Sequence, residues 1–321
     1  ILVSFARSRE SKDKIIAFYE FKTIESPREM RGLIKSFCST SKIRGTVIIA
    51  TEGINGTICG LNHDIDSFLE FTSEHGFSNN NIKTSHSKIM PFYRLKVKVK
   101  KEIITFYGEP IDPTITRGES LTPKDWEKII QSDDVVVLDV RNKYETRIGS
   151  FKNSIDPETN SFTEFKQFID SKISDYHGKK IAMYCTGGIR CEKASMYVKS
   201  LGHQEVYQLH GGILNYLEAT EPTSTSWDGE CFVFDNRVSV THELNPGSYQ
   251  LCSGCREPIS SADKQSKYYE EGVSCPSCFH DLTENKIKGS RDRSRQIKQN
   301  NLKGRISTFT EFNTDDYRNL I

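Results

Sequence analysis

Between residues 120 and 220, short apolar runs alternate with longer segments of helical period. The runs read DVVVLDV, KKIAMYC and EVYQL. A nearly continuous apolar run is typical of a strand that is buried on both faces, and helices between such strands cover the two faces of a parallel sheet. The alternation therefore predicts an α/β domain with a parallel sheet in this part of the chain.

Residues 13–107 predict a domain of a different kind. Their elements read strand, helix, strand, strand, helix, strand, which is the split βαβ or ferredoxin-like α+β arrangement. The first helix begins with Ser26 as its cap and Pro27 in its first position. The polar stretch FSNNNIKTSHSK predicts a loop before the last strand, RLKVKVKK.

The rest of the chain divides into a cysteine-rich segment, residues 228–285, and a polar basic tail, residues 286–321. Near its start the segment contains CFVFDNRVSV, which predicts one strand. A chain of 321 residues is too long for one ordinary hydrophobic core. The expected fold is therefore multidomain α/β, in which a small cysteine-rich segment follows the two larger domains.

The overall charge and the cysteine count narrow the class of protein. The net charge is +1, so a polyanionic partner requires a local basic patch. No apolar run is long enough to span a bilayer, and the first residues lack the apolar core of a signal peptide. Nine cysteines, four of them in two CxxC pairs, favour a reducing compartment over a disulfide framework. These features predict a cytoplasmic protein that does not bind membranes.

A cysteine stands at the carboxyl end of the second apolar run, in the sequence CTGGIRC. Glycine residues after Cys185 let backbone N–H groups turn towards the thiol, and the helix that follows adds positive potential. Both effects stabilise a thiolate and lower the pKa of the thiol. Arg190 can close this loop over an anion. Cys185 and Arg190 are therefore the candidate catalytic residues; the alternative is a buried structural cysteine beside an ordinary glycine turn.

A second polar motif, DVRNKYE, follows the first apolar run. It contains Asp139, Arg141 and Glu145, close to the carboxyl end of a strand where open α/β sheets bind ligands. These three residues are predicted to support the loop that carries Cys185. Arg141 is expected to pair with an acidic group such as Glu145.

The two motifs together resemble those of a rhodanese domain over residues 120–220. Rhodanese-like phosphatases place five residues between the cysteine and the arginine. Only four residues intervene here, and they form the candidate active-site loop: Thr186, Gly187, Gly188 and Ile189. The smaller loop suits the sulfur atom of a persulfide and argues against phosphatase activity.

Four longer stretches resemble the tRNA uridine hydroxylase family of rhodanese-domain proteins: YCTGGIRCEKAS, GTVIIATEGINGTICG, GSFKNSIDP and HGGILNYLE. The resemblance covers residues 13–280. It implies the domain order described above and an oxygen-dependent 5-hydroxylation of the wobble uridine in the tRNA anticodon, with Cys185 essential and molecular oxygen as co-substrate. The sequence carries no flavin fingerprint, haem ligand set or non-haem iron pattern.

The cysteine-rich segment has the spacing of a metal site. Cys252, Cys255, Cys275 and Cys278 form the pattern C-x2-C-x19-C-x2-C. Two such pairs supply four thiolates to one tetrahedral zinc ion, whose role is structural because no coordination position stays open. The alternatives are two disulfides, free thiols or an iron–sulfur cluster.

The remaining cysteines allow simpler interpretations. Cys191 lies six residues after Cys185 and either resolves a persulfide, forms a disulfide with Cys185, or packs against the sheet. Cys38, Cys59 and Cys231 lie in apolar runs and are predicted to be core residues.

Two basic stretches are candidate contacts for RNA. The strand RLKVKVKK places four basic side chains on one face: Arg94, Lys96, Lys98 and Lys100. These residues either guide an RNA backbone or protect an exposed strand from aggregation. Residues 286–305 hold eight basic residues and one acid, and they form either a phosphate-binding arm or a solvated tail.

Three functions are consistent with these features. The first is a tRNA-modifying enzyme that hydroxylates uridine and uses Cys185. The second is a sulfurtransferase that carries a persulfide on Cys185. The third is a non-catalytic RNA-binding adaptor. The expected partner is tRNA, through its anticodon region, and neither DNA nor a membrane is expected.

Overall fold

The computed structural model describes residues 13–302 apart from residues 89 and 113. The elements of the N-terminal domain are β1 (Asp13–Phe21), α1 (Pro27–Thr40), β2 (Arg44–Ala50), β3 (Gly53–Gly60), α2 (Asn62–Glu74), β4 (Ile82–Ser87) and β5 (Leu95–Val99). Its strands form one sheet in the order β4-β1-β3-β2-β5. All neighbours are antiparallel except β2 and β5. The two helices pack on one face through buried residues such as Ile34 and Phe68, so the predicted ferredoxin-like arrangement is confirmed.

The prediction of a loop over FSNNNIKTSHSK was wrong, because β4 lies within that stretch. The strand pairs with β1 at the edge of the sheet, and only Ile82 of its side chains packs against the helix-side core. An edge strand with polar side chains lacks the apolar alternation that marks a half-buried strand. The lysine-rich strand RLKVKVKK was predicted to be the fourth and last strand of the ferredoxin-like sheet. It is instead β5, an additional strand at the edge opposite to β4.

The central domain contains the predicted parallel sheet. Its elements are β6 (Glu119–Leu121), α3 (Pro123–Ile129), β7 (Val135–Asp139), α4 (Lys143–Thr146), β8 (Gly149–Phe151), α5 (Phe162–Lys172), β9 (Lys180–Tyr184), α6 (Ile189–Ser200), β10 (Val206–Leu209) and α7 (Gly212–Ala219). Four strands pair in parallel in the order β6-β10-β9-β7. Separate apolar cores cover the two faces, one around Trp126 and the other around Phe165.

The C-terminal part consists of short strands and one long helix. Its elements are β11 (Trp227–Gly229), β12 (Cys231–Phe232), β13 (Ser239–Val240), β14 (Gln250–Leu251), β15 (Pro258–Ile259) and α8 (Glu284–Leu302). Strand β11 pairs with β8 and extends the central domain. The stretch CFVFDNRVSV, predicted as one strand, forms the hairpin β12–β13 instead, because the backbone reverses between them and Val238 has a φ of 66°.

The basic tail is helical where the structure describes it. Helix α8 lies against the cysteine-rich segment through ion pairs from Arg291 to Glu270, at 2.6 Å, and from Lys298 to Glu271, at 2.7 Å. Residues 303–321 of the tail lie outside the described residues. None of the helices in the described ranges is long and apolar enough to cross a membrane.

A buried ion cluster joins the N-terminal and central domains. Lys193 on α6 donates to Glu52, at 2.8 Å, and to Glu102, at 2.5 Å, and the three side chains are almost completely inaccessible to solvent. Glu52 also accepts from the backbone N–H groups of Ile103 and Ile111, both at 2.7 Å, so the linker between the domains folds onto the same carboxylate. Removing one partner from such a cluster leaves an uncompensated buried charge. The cluster therefore holds the two domains in one relative position.

Candidate active site

Cys185 lies directly after β9, and the residues from Cys185 to Arg190 form a tight turn into α6, called here the Cys185 loop. Gly188 caps the helix with a φ of 99°, a conformation that favours glycine. Its backbone N–H donates to the Cys185 Sγ at 3.2 Å. The sulfur atom therefore lies at the centre of the turn, as the glycine pattern predicts, and Cys185 is 0% exposed.

The surroundings of Cys185 stabilise its thiolate. Burial alone raises the pKa of the thiol, but a hydrogen bond from the Cys191 thiol, the charge of Arg190 and the backbone N–H groups of both residues outweigh burial and bring the pKa to about 6. Burial and the same contact with Cys185 raise the pKa of Cys191. Cys185 is therefore mostly ionised at neutral pH, while Cys191 stays protonated and donates a hydrogen bond to the Cys185 sulfur.

Arg190, the last residue of the Cys185 loop, is held in place by two groups. Its guanidinium donates to both carboxylate oxygens of Glu145, at 2.6 and 2.7 Å, and to the Thr186 Oγ1 at 3.2 Å. All three residues are buried. Burial raises the pKa of Glu145, but the charge and hydrogen bonds of Arg190 outweigh burial and lower it. The cationic head of Arg190 is thus fixed near the thiolate, with Glu145 rather than solvent balancing its charge.

Arg141 pairs with an acidic group, as expected, but that group is Asp139 rather than Glu145. Arg141 forms a bidentate pair with Asp139, at 2.9 and 2.6 Å, and donates to the backbone oxygen of Gly149 at 2.6 Å. Its contact with Glu145 is limited to the backbone oxygen at 3.4 Å, because the Glu145 carboxylate is turned towards Arg190. Arg141 therefore ties the end of β7 to the start of β8, whereas Glu145 is the residue that holds Arg190 of the Cys185 loop.

A glycine pair, Gly211 and Gly212, lies directly against the Cys185 loop. Gly212 has a φ of 67°, and a Cβ atom at this position would lie 2.5 Å from the backbone oxygen of Cys185. The backbone N–H groups of Ile213 and Leu214 donate to the oxygens of Cys185 and Thr186, at 3.0 and 3.1 Å. The start of α7 can approach the loop this closely only with glycine. The sequence HGG was a signal for this close approach.

The N-terminal domain covers the Cys185 loop. The Tyr19 hydroxyl of β1 donates to Glu192 of α6 at 3.0 Å, and it would lie 2.9 Å from a Cβ atom added to Gly188. Burial and the nearby charge of Glu192 raise the pKa of Tyr19, and the charge of Cys185 adds to this effect. Tyr19 is separated from Glu192 by 173 residues, so sequence spacing gave no signal for this contact.

The four cysteines of the C-terminal pattern are brought together as predicted. Their Sγ atoms all lie within 4.8 Å of one another, and three of the separations are 3.7, 3.8 and 3.9 Å. Bonds of about 2.3 Å to a tetrahedral zinc ion place sulfur ligands about 3.8 Å apart, whereas a disulfide requires about 2.05 Å. The cluster of Cys252, Cys255, Cys275 and Cys278 could therefore hold a metal ion. The other predicted core cysteines, Cys38, Cys59 and Cys231, are buried as expected.

Basic side chains of strand β5 project from the same face of the N-terminal sheet as the side chain of Tyr19. The strand register places Lys98, Ile48, Asn55 and Tyr19 in one row across the sheet, and Val97 in the row that faces the helices. Three strand spacings of about 4.8 Å separate Lys98 from Tyr19 by about 14 Å. Arg94, Lys98 and Lys100 are exposed, and Lys96 is partly buried. Burial lowers the pKa of Lys96, and neighbouring cations, including Arg256, add to the effect.

Two family models match this chain, one over each of its two larger domains. A model of the UPF0176 acylphosphatase like domain matches residues 14–103, and a model of the rhodanese-like domain matches residues 122–219. A rhodanese-related protein from Thermoplasma volcanium has 28% identity and a TM-score of 0.27, covering 32% of this chain and 95% of that structure.

Full-length relatives match both domains and the cysteine-rich segment in one alignment. The tRNA uridine(34) hydroxylase of Teredinibacter turnerae is 43% identical over 293 residues, which is 91% of each chain. The protein of the same name from Acaryochloris marina is 44% identical over 283 residues, covering 88% of this chain and 91% of that protein. At this identity and coverage, the chain belongs to the tRNA uridine(34) hydroxylase family.

Proposed function

We propose that this protein hydroxylates C5 of the uridine at position 34 of tRNA in a reaction that consumes molecular oxygen, and that Cys185 is its essential residue. The observation that carries the proposal is the buried thiolate: a cysteine whose pKa falls to about 6 although it is 0% exposed. A structural cysteine needs no such stabilisation, as the raised pKa of the core residue Cys38 illustrates. The relatives named for this activity match the chain over both domains.

The residues around Cys185 have distinct parts in this function. Cys185 supplies a reactive sulfur, and Arg190 holds a positive charge beside it. Glu145 keeps Arg190 in place. Since Cys185 has no exposed surface, a nucleobase reaches the sulfur only when groups that cover the loop, such as Tyr19, move aside. A closed site of this kind excludes water from the reacting atoms.

We also propose that the four-cysteine cluster binds one zinc ion with a structural role. The sulfur separations suit a tetrahedral ion of this size, and four protein thiolates leave no position for a substrate. Cys252, Cys275 and Cys278 are buried, so the ion would replace an apolar core that this segment is too small to build.

The substrate is expected to approach over the N-terminal sheet. The basic side chains of β5 lie on the face that also carries Tyr19, so an RNA backbone lying on this strand can place an anticodon base near the Cys185 loop. We place the protein in the cytoplasm, where tRNA is available and thiols remain reduced.

Analysis of tRNA nucleosides by mass spectrometry tests the proposed function. A strain that lacks the gene should lose 5-hydroxyuridine derivatives at position 34, and it should regain them with the wild-type gene but not with Cys185→Ser. Growth of the complemented strain without oxygen should abolish the modification. Loss of thiolated bases instead would favour the sulfurtransferase, which the persulfide-sized loop also permits. An unchanged nucleoside profile would indicate the RNA-binding adaptor.

A further inference from the structure

An aromatic ring projects into solvent beside the Cys185 loop. Phe234, in the turn of the β12–β13 hairpin, is 60% exposed, more than any other large hydrophobic side chain in the described residues. Exposing so much apolar surface is unfavourable, because burying a phenylalanine contributes stability. One exposed apolar side chain is common on a protein surface, so Phe234 is a candidate contact for a ligand because of its position beside Arg190 of the Cys185 loop.

The hairpin holds Phe234 in this exposed position. Among the residues that follow Phe234, Arg237 forms a bidentate pair with Asp235, at 2.9 and 2.6 Å, and both side chains are buried. Arg237 also donates to the Ser85 Oγ of β4 at 2.9 Å, which ties the turn to the N-terminal domain. The orientation of the turn is fixed by these contacts, so the exposure of Phe234 is a property of the folded state.

The ring is also close to the charged part of the site. The guanidinium carbon of Arg190 lies 6.0 Å from the centroid of the Phe234 ring. On its inner side Phe234 packs edge-on against Phe232 at 5.2 Å, and Phe232 packs edge-on against Tyr144 at the same distance. One side of the Phe234 ring is thus supported by aromatic neighbours, while much of its surface remains accessible.

We propose that Phe234 is a stacking platform for an unpaired base of the RNA substrate. The proposal rests on the proposed function, since it assumes that a nucleobase enters the site beside Arg190. An accessible aromatic ring next to a guanidinium is the combination that binds unpaired bases, by stacking and by cation–π attraction. Stacking accepts any base, so this contact would hold the anticodon loop without selecting its sequence.

Binding of an anticodon stem-loop RNA to single variants tests the platform. Phe234→Ala should weaken binding about 5- to 150-fold, the range for one lost base–aromatic stack. Phe234→Trp should bind at least as well as the wild type, and its new indole should be quenched on RNA addition, since Trp126 and Trp227 are buried. Phe234→Leu keeps an apolar side chain without a ring and should resemble Phe234→Ala. Leu33→Ala, an exposed residue of α1, is the control and should bind normally.

Three further RNAs, abasic at position 33, 34 or 35, show whether the lost contact is a base. With one of them, Phe234→Ala and the wild type should bind equally, because the stacking partner is already absent. An equal penalty with all three RNAs, normal binding by Phe234→Ala, or a change of oligomeric state in Phe234→Ala would overturn the proposal. These outcomes are independent of catalysis: a wild-type protein that binds the RNA in this way but forms no hydroxyuridine would refute the proposed function alone.

Discussion

Replacing Cys191 by alanine is expected to raise the pKa of Cys185. The hydrogen bond from the Cys191 thiol is the largest of the contributions that lower this pKa against the effect of burial. The variant removes the donor without placing a charge in the site. Cys191 packs in an apolar core, where an alanine is tolerated with loss of only one sulfur atom.

The expected size of the change follows from the strength of one such contact. A hydrogen bond to a charged group contributes about 1.5–3 kcal/mol, and one pKa unit corresponds to about 1.4 kcal/mol. The pKa of Cys185 should therefore rise by about one to two units in Cys191→Ala. At pH 7 the ionised fraction would fall from about nine-tenths to between about a half and a tenth.

Ultraviolet absorbance of the thiolate measures this titration without requiring a reagent to reach the buried sulfur. The difference between each protein and the same protein carrying Cys185→Ser isolates Cys185. Burial raises the pKa of Cys38 and of Cys231 to about 12, so these thiols stay silent near neutral pH. Cys191→Ser is the matched control, because the serine hydroxyl can still donate a hydrogen bond to the Cys185 sulfur. The pKa of Cys185 in this variant should therefore lie closer to the wild-type value. A wild-type midpoint near 9, or an unchanged midpoint in Cys191→Ala, would refute the reasoning.

The same ionisation predicts how stability depends on pH. The folded-state pKa of Cys185 lies below that of an unfolded cysteine, so ionisation of Cys185 contributes to the free energy of unfolding. This contribution is fully present above about pH 9 and is lost as the pH falls through about 6. Lowering the pH from 8 to 6 should remove about 2 kcal/mol of the free energy of unfolding. Denaturant titrations at both pH values check this loss, which should be absent in Cys185→Ser.

Three further predictions concern the supporting structure. Gly212→Ala should destabilise the protein by about 1–3 kcal/mol or more and displace the Cys185 loop, measured by denaturant titration and activity, whereas Gly178→Ala, at a similar φ but in open space, should keep its activity. Metal analysis should find one zinc ion per chain in the wild type and none in Cys275→Ser; iron, or disulfides in the wild type, would contradict the zinc site. Replacing Lys96 and Lys98 by alanine should lower the log–log salt slope of tRNA binding by roughly one unit per lost phosphate contact, and an unchanged slope with full activity would show that the basic strand only protects a sheet edge.

The sequence was most informative where chemistry and local structure coincide. The apolar runs that became β7, β9 and β10 are buried on both faces, so their composition marks them without knowledge of the rest of the chain. The Cys185 loop could be predicted because its glycines, cysteine and arginine act within six consecutive residues. The cysteine pairs were predictable for the same reason: each CxxC pair brings two ligands together locally.

Predictions from sequence were less successful where a contact depends on how distant elements pack. Asp139 and Glu145 are both near Arg141 in sequence, and only the side-chain directions in the folded protein decide which carboxylate pairs with it. Strand β4 is polar because one of its faces meets the hairpin β12–β13 and the other domain rather than a core, so its pattern resembled that of a loop. The ion cluster of Lys193 joins residues up to 141 positions apart, and no local pattern indicates it.

The two faces of the N-terminal sheet have different roles. One face of the sheet carries helices, while the opposite face carries Tyr19, which covers the Cys185 loop, and the basic side chains of β5. The turn between β2 and β3 contributes Glu52 to the cluster that fixes this face against the central domain. An isolated rhodanese domain would leave the loop uncovered and would lack the basic strand. Because one domain covers the Cys185 loop and also carries Lys98 about 14 Å from Tyr19, we propose that it links binding of a polyanion to access of a base to the sulfur.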